Sequence, residues 1–202
     1  MILFFDTETT GLADFNKRAS DPSQPHIVQL AAMLCDDLGA VIESHNVIVK
    51  PEGWRIPEEM TAIHGVSQDM AQQIGMPEVC VMEILWAMLK KQSLLVAHNL
   101  TFDKFMARIG MRRHGLLTDE EDDWWKQMPG FCTMRSTTEL CALPGGRNGQ
   151  FKWPKLKEAH KQIFGEEPTE THDAMEDLLS CKRIYFWLIA HQTESQKDEV
   201  PM

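Results

Sequence analysis

Residues 1–11 read MILFFDTETTG, an apolar run interrupted by two acids. The apolar part is typical of a strand buried inside a sheet. Because strand side chains alternate between two faces, Asp6 and Glu8 are expected to project to the same face. Two adjacent carboxylates repel each other unless a cation lies between them, and hard divalent ions such as Mg²⁺ or Mn²⁺ take oxygen ligands of this kind. The alternative is a strand end that turns into solvent with both acids exposed.

The segments after residue 11 predict further strands and then a series of helices. Apolar runs at 27–34 and 41–49, separated by a turn, indicate that the first three strands form an antiparallel meander. Another apolar run at 94–97 indicates a strand buried on both faces. Helical patterns are predicted to begin at Pro57 and Ser67 and to cover 77–92, 102–112, 155–164 and 173–191, with loops at 12–25 and 115–130. This order indicates an α/β fold, in which a mixed central sheet of the meander plus parallel strands is flanked by helices.

A second acidic signal follows the strand at 94–97. The sequence HNLTFD at 98–103 places Asp103 in the first turn of the next helix. Ligands of open α/β sheets bind at the carboxyl ends of strands, which favours a functional position for this acid. The alternative is that Asp103 only interacts with the positive end of the helix.

A third signal is HDAMED at 172–177, at the start of the last predicted helix. At 100° per residue, positions five apart do not share a helical face, so His172 must reach a site from the preceding loop while Asp177 projects from the helix. The alternative is an ordinary polar helix start with a capping acid.

Taken together, FDTETTG, HNLTFD and HDAMED resemble the motifs of the DEDDh, or DnaQ-like, family of 3′–5′ exonucleases, which has a ribonuclease H-like fold. The segment AIHGV at 62–66 is similar to that family's IHG segment. The similarity covers residues 1 to about 190. It implies an exonuclease domain at 1–192, followed by a polar C-terminal tail at 193–202.

The resemblance also implies a reaction. Asp6, Glu8, Asp103 and Asp177 match the family's four metal ligands, which hold two Mg²⁺ or Mn²⁺ ions ~3.5–4 Å apart. His172 matches the general base, and its unperturbed pKa of ~6.5 suits removal of a proton from the attacking water. The implied activity is hydrolysis of the terminal phosphodiester bond of mainly single-stranded DNA, with release of nucleoside 5′-monophosphates.

Substrate contacts are implied by the same resemblance. Leu12 would wedge against a base, unless it is a turn residue packed on the core. Phe102 would stack on a base, unless it is an ordinary core aromatic. The pairs Trp124-Trp125 and Lys152-Trp153 could each form a base platform, a partner surface or a lid, although loops anchored in the core are favoured. The implied contacts are Thr7, Thr10, Gly11, Leu12, Glu59, His64, Asn99 and Phe102.

The composition limits the substrate and the compartment. The chain has 202 residues and a net charge of −10, which fits one domain without a wide basic face for duplex DNA. Single-stranded or frayed 3′ ends are therefore the expected partners. The five cysteines form no CxxC pair, so we expect reduced thiols rather than a zinc site or disulfides. No apolar run reaches the ~18–20 residues that span a bilayer. We expect a soluble, cytoplasmic protein of bacterial or phage origin with no membrane partner.

Three other functions fit parts of the sequence. One is a 3′–5′ exoribonuclease acting on short RNA or RNA tails, since no residue that admits or excludes a 2′-hydroxyl is identifiable. Another is a proofreading subunit with a polymerase or replication partner. The third is a binding module that has lost catalysis, which is disfavoured because all four acids and His172 are present.

His160, within a predicted helix, is expected at the surface.

Overall fold

The computed structural model describes residues 1–166 and 173–197, with side chains to His191. Its strands are β1 (Ile2–Thr9), β2 (Ile27–Cys35), β3 (Val41–Lys50), β4 (Met76–Pro77), β5 (Leu94–Ala97) and β6 (Gly130–Cys132). Its helices are α1 (Glu58–His64), α2 (Gln68–Ile74), α3 (Glu78–Leu89), α4 (Leu100–Arg113), α5 (Asp122–Gln127), α6 (Thr133–Ser136), α7 (Thr138–Cys141), α8 (Leu156–Phe164) and α9 (Ala174–Lys197), with a 3-10 turn at Arg147–Gly149.

The strands form one sheet in the order β4-β3-β2-β1-β5-β6. Strands β1, β2 and β3 pair antiparallel, whereas β5 pairs parallel to both β1 and β6. The predicted α/β fold with a mixed central sheet is therefore confirmed. Strand β1 lies inside the sheet between β2 and β5. Its pairing with β5 ends at Phe4, whereas its pairing with β2 continues through Asp6 and Glu8.

Strand β1 separates two hydrophobic clusters. Leu3 and Phe5 belong to the larger cluster, together with residues of α3 and α4 such as Met82 and Met106. Ile2 and Phe4 face the other side and pack with residues of α9, including a contact of 5.4 Å between the ring centres of Phe4 and Tyr185. Because side chains alternate, Asp6 and Glu8 continue the row of Ile2 and Phe4 and project to the face covered by α9. The alternation in β1 thus decides which helix the two acids meet.

The loop at 12–25 is anchored by a buried ionic cluster around Glu78, at the start of α3. Its carboxylate accepts a hydrogen bond from Arg113 at 2.9 Å and lies within 3.2 Å of the rings of His26 and His114. Arg113 also donates to the main-chain oxygens of Gln24 and Pro25, each at 3.1 Å. Buried charges are retained when they are paired in this way. The cluster holds the loop that joins β1 to β2 close to the core.

Three parts of the chain differ from the prediction. The loop predicted at 115–130 contains α5, whose Asp122 accepts hydrogen bonds of 3.0 Å from Arg108 and Arg112, and whose Trp125 is buried. His160, expected at the surface, is buried and contacts the Glu166 main-chain oxygen at 3.0 Å. The last helix, predicted to end at 191, continues to Lys197. The first two differences arise from contacts between segments that are distant in sequence. The domain boundary at 192 stays a prediction.

All five cysteines are free thiols, in agreement with the sequence prediction. Across the described residues, we find no helix with both the length and the apolar character needed to cross a membrane.

Candidate metal-binding active site

Carboxylates from β1 and α9 meet at the carboxyl end of β1. Asp6, Glu8 and Asp177 each place one oxygen within 4.8 Å of the oxygens of the other two. Asp177 follows the N-terminal turn of α9, whose buried Ala174 and Leu178 pack on the same sheet face. The predicted convergence of these three acids is therefore present in the fold.

The fourth acid, Asp103, reaches the site from the first turn of α4. Its side chain is buried, and its Oδ1 accepts hydrogen bonds from the Thr7 main-chain nitrogen at 3.1 Å and from the Thr7 hydroxyl at 2.8 Å. Thr7 alternates with Asp6 and Glu8 and so faces the α4 side of β1. Asn99, which precedes the helix, adopts a left-handed conformation with φ of 77°. This turn directs α4 back toward β1.

The four acids are electrostatically unfavourable without a counter-ion. Burial, followed by the charges of Asp103, Glu8 and Asp177, raises the pKa of Asp6 well above its usual range. Burial, followed by the charges of Asp177 and Asp173, raises the pKa of Glu8 to about 7. Burial also raises the pKa of Asp103 to about 7, although its hydrogen bonds from Thr7 act in the opposite direction.

This donor set fits divalent metal ions. The side chains offer only carboxylate oxygens, which suit Mg²⁺ or Mn²⁺ better than the nitrogen and sulfur ligands typical of zinc sites. Cations placed between Asp6, Glu8 and Asp177 would also offset the repulsion that contributes to the raised pKa values of Asp6 and Glu8. The residues present therefore fit the metal centre that the sequence predicts.

Glu8→Gln is expected to raise the melting temperature of the metal-free protein above pH 7. The pKa of Glu8 rises from 4.5 to about 7 on folding, so between these values the folded state keeps a proton that the unfolded state has lost. Stability of the metal-free protein therefore falls as pH rises through this window and stays low above it. A neutral glutamine removes that loss, and a gain of ~1 kcal/mol would shift the midpoint by ~2–4 °C.

Calorimetry in a chelator, from pH 4.5 to pH 8, measures this effect, with Glu58→Gln as the control at an exposed position of α1. A Glu8→Gln protein that loses stability with pH as steeply as the wild type would contradict the prediction.

The predicted substrate contacts differ in their exposure and local partners. Leu12 is 89% exposed, so it is not packed on the core and its side chain is accessible to a ligand. Thr10 is tied to His26, whose main-chain nitrogen donates to the Thr10 hydroxyl at 2.9 Å. Phe102 is half-buried against the larger core cluster and Glu59 is exposed. Gly11 and Asn99 are half-buried, whereas Thr7 is buried behind Asp103, where its hydroxyl supports that acid.

A cavity of about 260 Å³ adjoins the acidic cluster and contains His64. His64 is 3% exposed, its Nδ1 accepts a hydrogen bond from the Val66 main-chain nitrogen at 3.1 Å, and its buried Nε2 has no hydrogen-bond partner within the described ranges 1–166 and 173–197. Burial lowers the pKa of His64, so the ring is neutral near pH 7. A buried ring nitrogen without a partner is costly unless a water or a ligand group reaches it.

Three residues of this cavity were not singled out from the sequence. Gln29 donates to the Asn46 side-chain oxygen at 2.8 Å, and Asn46 donates to Asp173 at 3.1 Å. Gln29 also lies opposite Glu8 in the β1–β2 register. A signal was available, because Gln29 is a polar residue within an otherwise apolar strand sequence, IVQLAAMLC. Nothing comparable marks Asn46 on β3, whose side chains alternate between exposed and half-buried positions.

His172 lies outside the described residues. Its neighbour Asp173 accepts a hydrogen bond from the Met175 main-chain nitrogen at 2.8 Å, which caps α9. Asp173 also contributes to the raised pKa of Glu8. Asp173 therefore lies beside the acids of β1.

Comparisons with known proteins agree with this geometry. A family model described as an exonuclease, RNase_T, matches residues 3–185. The chain is 28% identical over 184 residues to the protein of Escherichia phage 186 described as uncharacterized exonuclease CP81, covering 87% of this chain and 81% of that one. It is 24% identical over 192 residues to DNA polymerase III subunit epsilon of Treponema pallidum, covering 94% and 77%.

Other matches cover only part of longer proteins. DNA polymerase III PolC-type of Thermotoga petrophila is 26% identical over 109 residues, which are 54% of this chain and 8% of that protein. The crystal structure of E. coli exonuclease I in complex with a dT13 oligonucleotide superposes with a TM-score of 0.75 at 19% identity, covering 97% of this chain and 42% of that one. At this identity the superposition shows a shared fold.

Proposed function

Because the chain belongs to the RNase_T family of exonucleases, we propose that it removes nucleotides one at a time from the 3′ end of single-stranded DNA, as nucleoside 5′-monophosphates. The observation that carries this proposal is the meeting of Asp6, Glu8 and Asp177 oxygens within 4.8 Å, with Asp103 beside them. A phosphodiester is negatively charged, so four carboxylates alone would repel it. An acidic centre of this kind can therefore bind it only when cations are also bound.

Within this proposal, each acid has a role that its position supports. Two divalent cations, when bound, would polarise the phosphate and neutralise charge that develops during hydrolysis. Asp6, which lies among Glu8, Asp103 and Asp177, would hold the cations together with these three acids. Thr7 positions Asp103 through two hydrogen bonds. His172 would accept the proton of the attacking water as general base.

The terminal nucleotide is proposed to lie between the acids and the cavity that contains His64. That cavity offers polar groups from Gln29, Asn46 and His64, which suit the hydroxyl groups of a sugar or the edge of a base. Leu12 and Phe102 would contact the bases, and Thr10, Gly11, Glu59 and Asn99 complete the proposed contacts. The single-strand preference is supported by the net charge of −10, which disfavours a broad duplex interface.

A second candidate is a proofreading subunit that works with a polymerase. The observation in its favour is that two of the similar proteins are described as DNA polymerase III PolC-type and DNA polymerase III subunit epsilon. Both candidates share the same reaction, so the chemistry is tested first.

Oligonucleotides labelled at the 5′ end should shorten stepwise from the 3′ end in Mg²⁺ or Mn²⁺. Oligonucleotides labelled at the 3′ end should instead release the labelled monophosphate early in the reaction. Single-stranded DNA, the matched duplex and RNA of the same sequence are compared. Faster cleavage of RNA would favour the exoribonuclease. Internal cuts, release from the 5′ end, or no cleavage in either metal would contradict the proposal.

A further inference from the structure

A groove of about 470 Å³ lies in the loop between α7 and α8, outside the acidic cluster. Two aromatic side chains line it and remain open to solvent: Phe151 is 39% exposed and Trp153 is 57% exposed. Large aromatic groups left accessible side by side commonly mark a binding surface. The groove is large enough for a nucleotide base, since ligand pockets usually measure ~300–1,000 Å³.

The charge of this segment is opposite to that of the whole chain. Residues 141–157 contain Arg147, Lys152, Lys155 and Lys157 but no aspartate or glutamate, in a protein with a net charge of −10. Lys152 is paired with Glu158 at 3.1 Å. Arg147 lines the groove and makes no ion pair with a carboxylate in the described part of the chain. A cation beside exposed aromatic rings is the combination that binds single-stranded nucleic acid.

Contacts join this groove to the helix that supplies Asp103. The guanidinium of Arg135 lies 5.6 Å from the centre of the Trp153 ring and also donates to the Thr101 hydroxyl at 3.3 Å. Thr101 precedes Asp103 by two positions in the first turn of α4. The main-chain oxygen of Pro154, the residue after Trp153, contacts His98 Nε2 at 3.1 Å. The groove therefore adjoins the catalytic end of the sheet.

The loop that forms the groove is closed by its own backbone. The Lys152 nitrogen donates to the Leu143 oxygen at 2.8 Å, which joins the two ends of the loop. At Gly146, a side-chain carbon would lie 2.2 Å from the Gln150 oxygen, so only glycine permits this close approach. A surface held in one conformation loses less entropy when it binds a ligand.

We propose that this groove, lined by Arg147, Phe151 and Trp153 with Arg135 behind it, binds the single strand a few nucleotides upstream of the 3′ end. Phe151 and Trp153 would stack on bases, and the two arginines would contact phosphates. The inference rests on the proposed function, because it requires a strand whose end occupies the acidic site. It explains how a strongly acidic protein holds a polyanion beyond its last nucleotide.

The test uses the His172→Ala protein in Mg²⁺, because this variant keeps the four acids that would hold the metal while cleavage is slow enough for the strand to stay intact during binding. Fluorescence anisotropy gives the Kd of a dodecamer and of a trimer of oligo-dT. When Trp153→Ala is introduced into this protein, the Kd of the dodecamer is expected to rise about fivefold or more, which is the scale of one lost stacking contact. The Kd of the trimer should change much less, because the trimer is too short to reach the groove. Arg147→Ala should also reduce the dependence of log K on log salt by about 0.7, as for one phosphate contact.

Trp124→Ala is the matched control. Like Trp153, Trp124 is exposed, at 37%, and has a cation over its ring, with Lys90 at 4.2 Å, but it lies on α5 outside the groove. It should bind both lengths as the parent does. Equal effects of Trp153→Ala on dodecamer and trimer, or no effect on either, would overturn the groove proposal. Nuclease assays of the wild type run in parallel test the proposed function separately, since binding is measured without cleavage.

Discussion

Asp6→Asn is expected to reduce the rate of nucleotide release by at least about 10³-fold, the upper range for loss of one preorganised electrostatic group. Asp6 lies among three other acids, and its raised pKa reflects burial first and then their charges. Replacing the carboxylate with an amide of nearly the same shape removes one unit of negative charge and one strong metal ligand. The fold should persist, because the substitution also relieves repulsion.

Steady-state release of nucleotides measures the loss of activity. Thermal unfolding with and without Mn²⁺ measures whether the fold persists and whether the metal ligand is lost. The wild type should gain stability from the metal through mass action, whereas Asp6→Asn should gain much less. Asp69→Asn is the matched control, because Asp69 is an exposed aspartate on α2, away from the acids of β1. An Asp6→Asn protein that cleaves at the wild-type rate would exclude this acid from the metal centre.

The sequence was sufficient where the signal was local or repeated. Alternation along β1 predicted that Asp6 and Glu8 share a face, and both indeed lie with Asp177 on the side of α9. The predicted mixed α/β sheet and the resemblance to DnaQ-like exonucleases are both confirmed. These predictions succeeded because period-two patterns and short acidic motifs depend on neighbouring residues.

The sequence was insufficient where side chains from distant segments meet. The sequence assigned no role to Asp173, yet its charge acts on Glu8 and its carboxylate accepts a hydrogen bond from Asn46, 127 positions away. The burial of His160 depends on how α8 packs against α9, which no pattern within α8 encodes. Such contacts are set by tertiary packing rather than by local propensity.

The groove beside Trp153 illustrates a related difficulty with charge. The net charge of −10 predicted that the protein has no wide basic face for duplex DNA. Charge, however, acts over a Debye length of ~10 Å rather than over a whole protein. The acids concentrate at the candidate metal site and in segments such as 119–123, whereas 141–157 carry only positive charge. A sequence average therefore conceals the local surface that a substrate meets.

His172→Ala is expected to lower kcat by a factor of about 10²–10⁴, the usual range for loss of a positioned general base. The expectation rests on the sequence HDAMED and on the position of Asp173, the next residue, beside Glu8. A base must be neutral to accept a proton. Wild-type kcat should therefore rise with pH through the pKa of the imidazole, ordinarily ~6.5, and this rise should be absent from the variant.

A measurement of metal binding distinguishes a variant that lacks only the general base from one that has lost the metal site. His172→Ala should keep the stabilisation by Mn²⁺ that Asp6→Asn loses, because the proposed metal ligands are the four carboxylates and the imidazole is not among them. His45→Ala serves as the matched control, since His45 contacts Glu43 at 3.0 Å on β3 and should leave kcat unchanged. If His172→Ala instead lost the Mn²⁺ effect and kept the wild-type pH profile, the residue would support the metal centre, and the base would have to be another group.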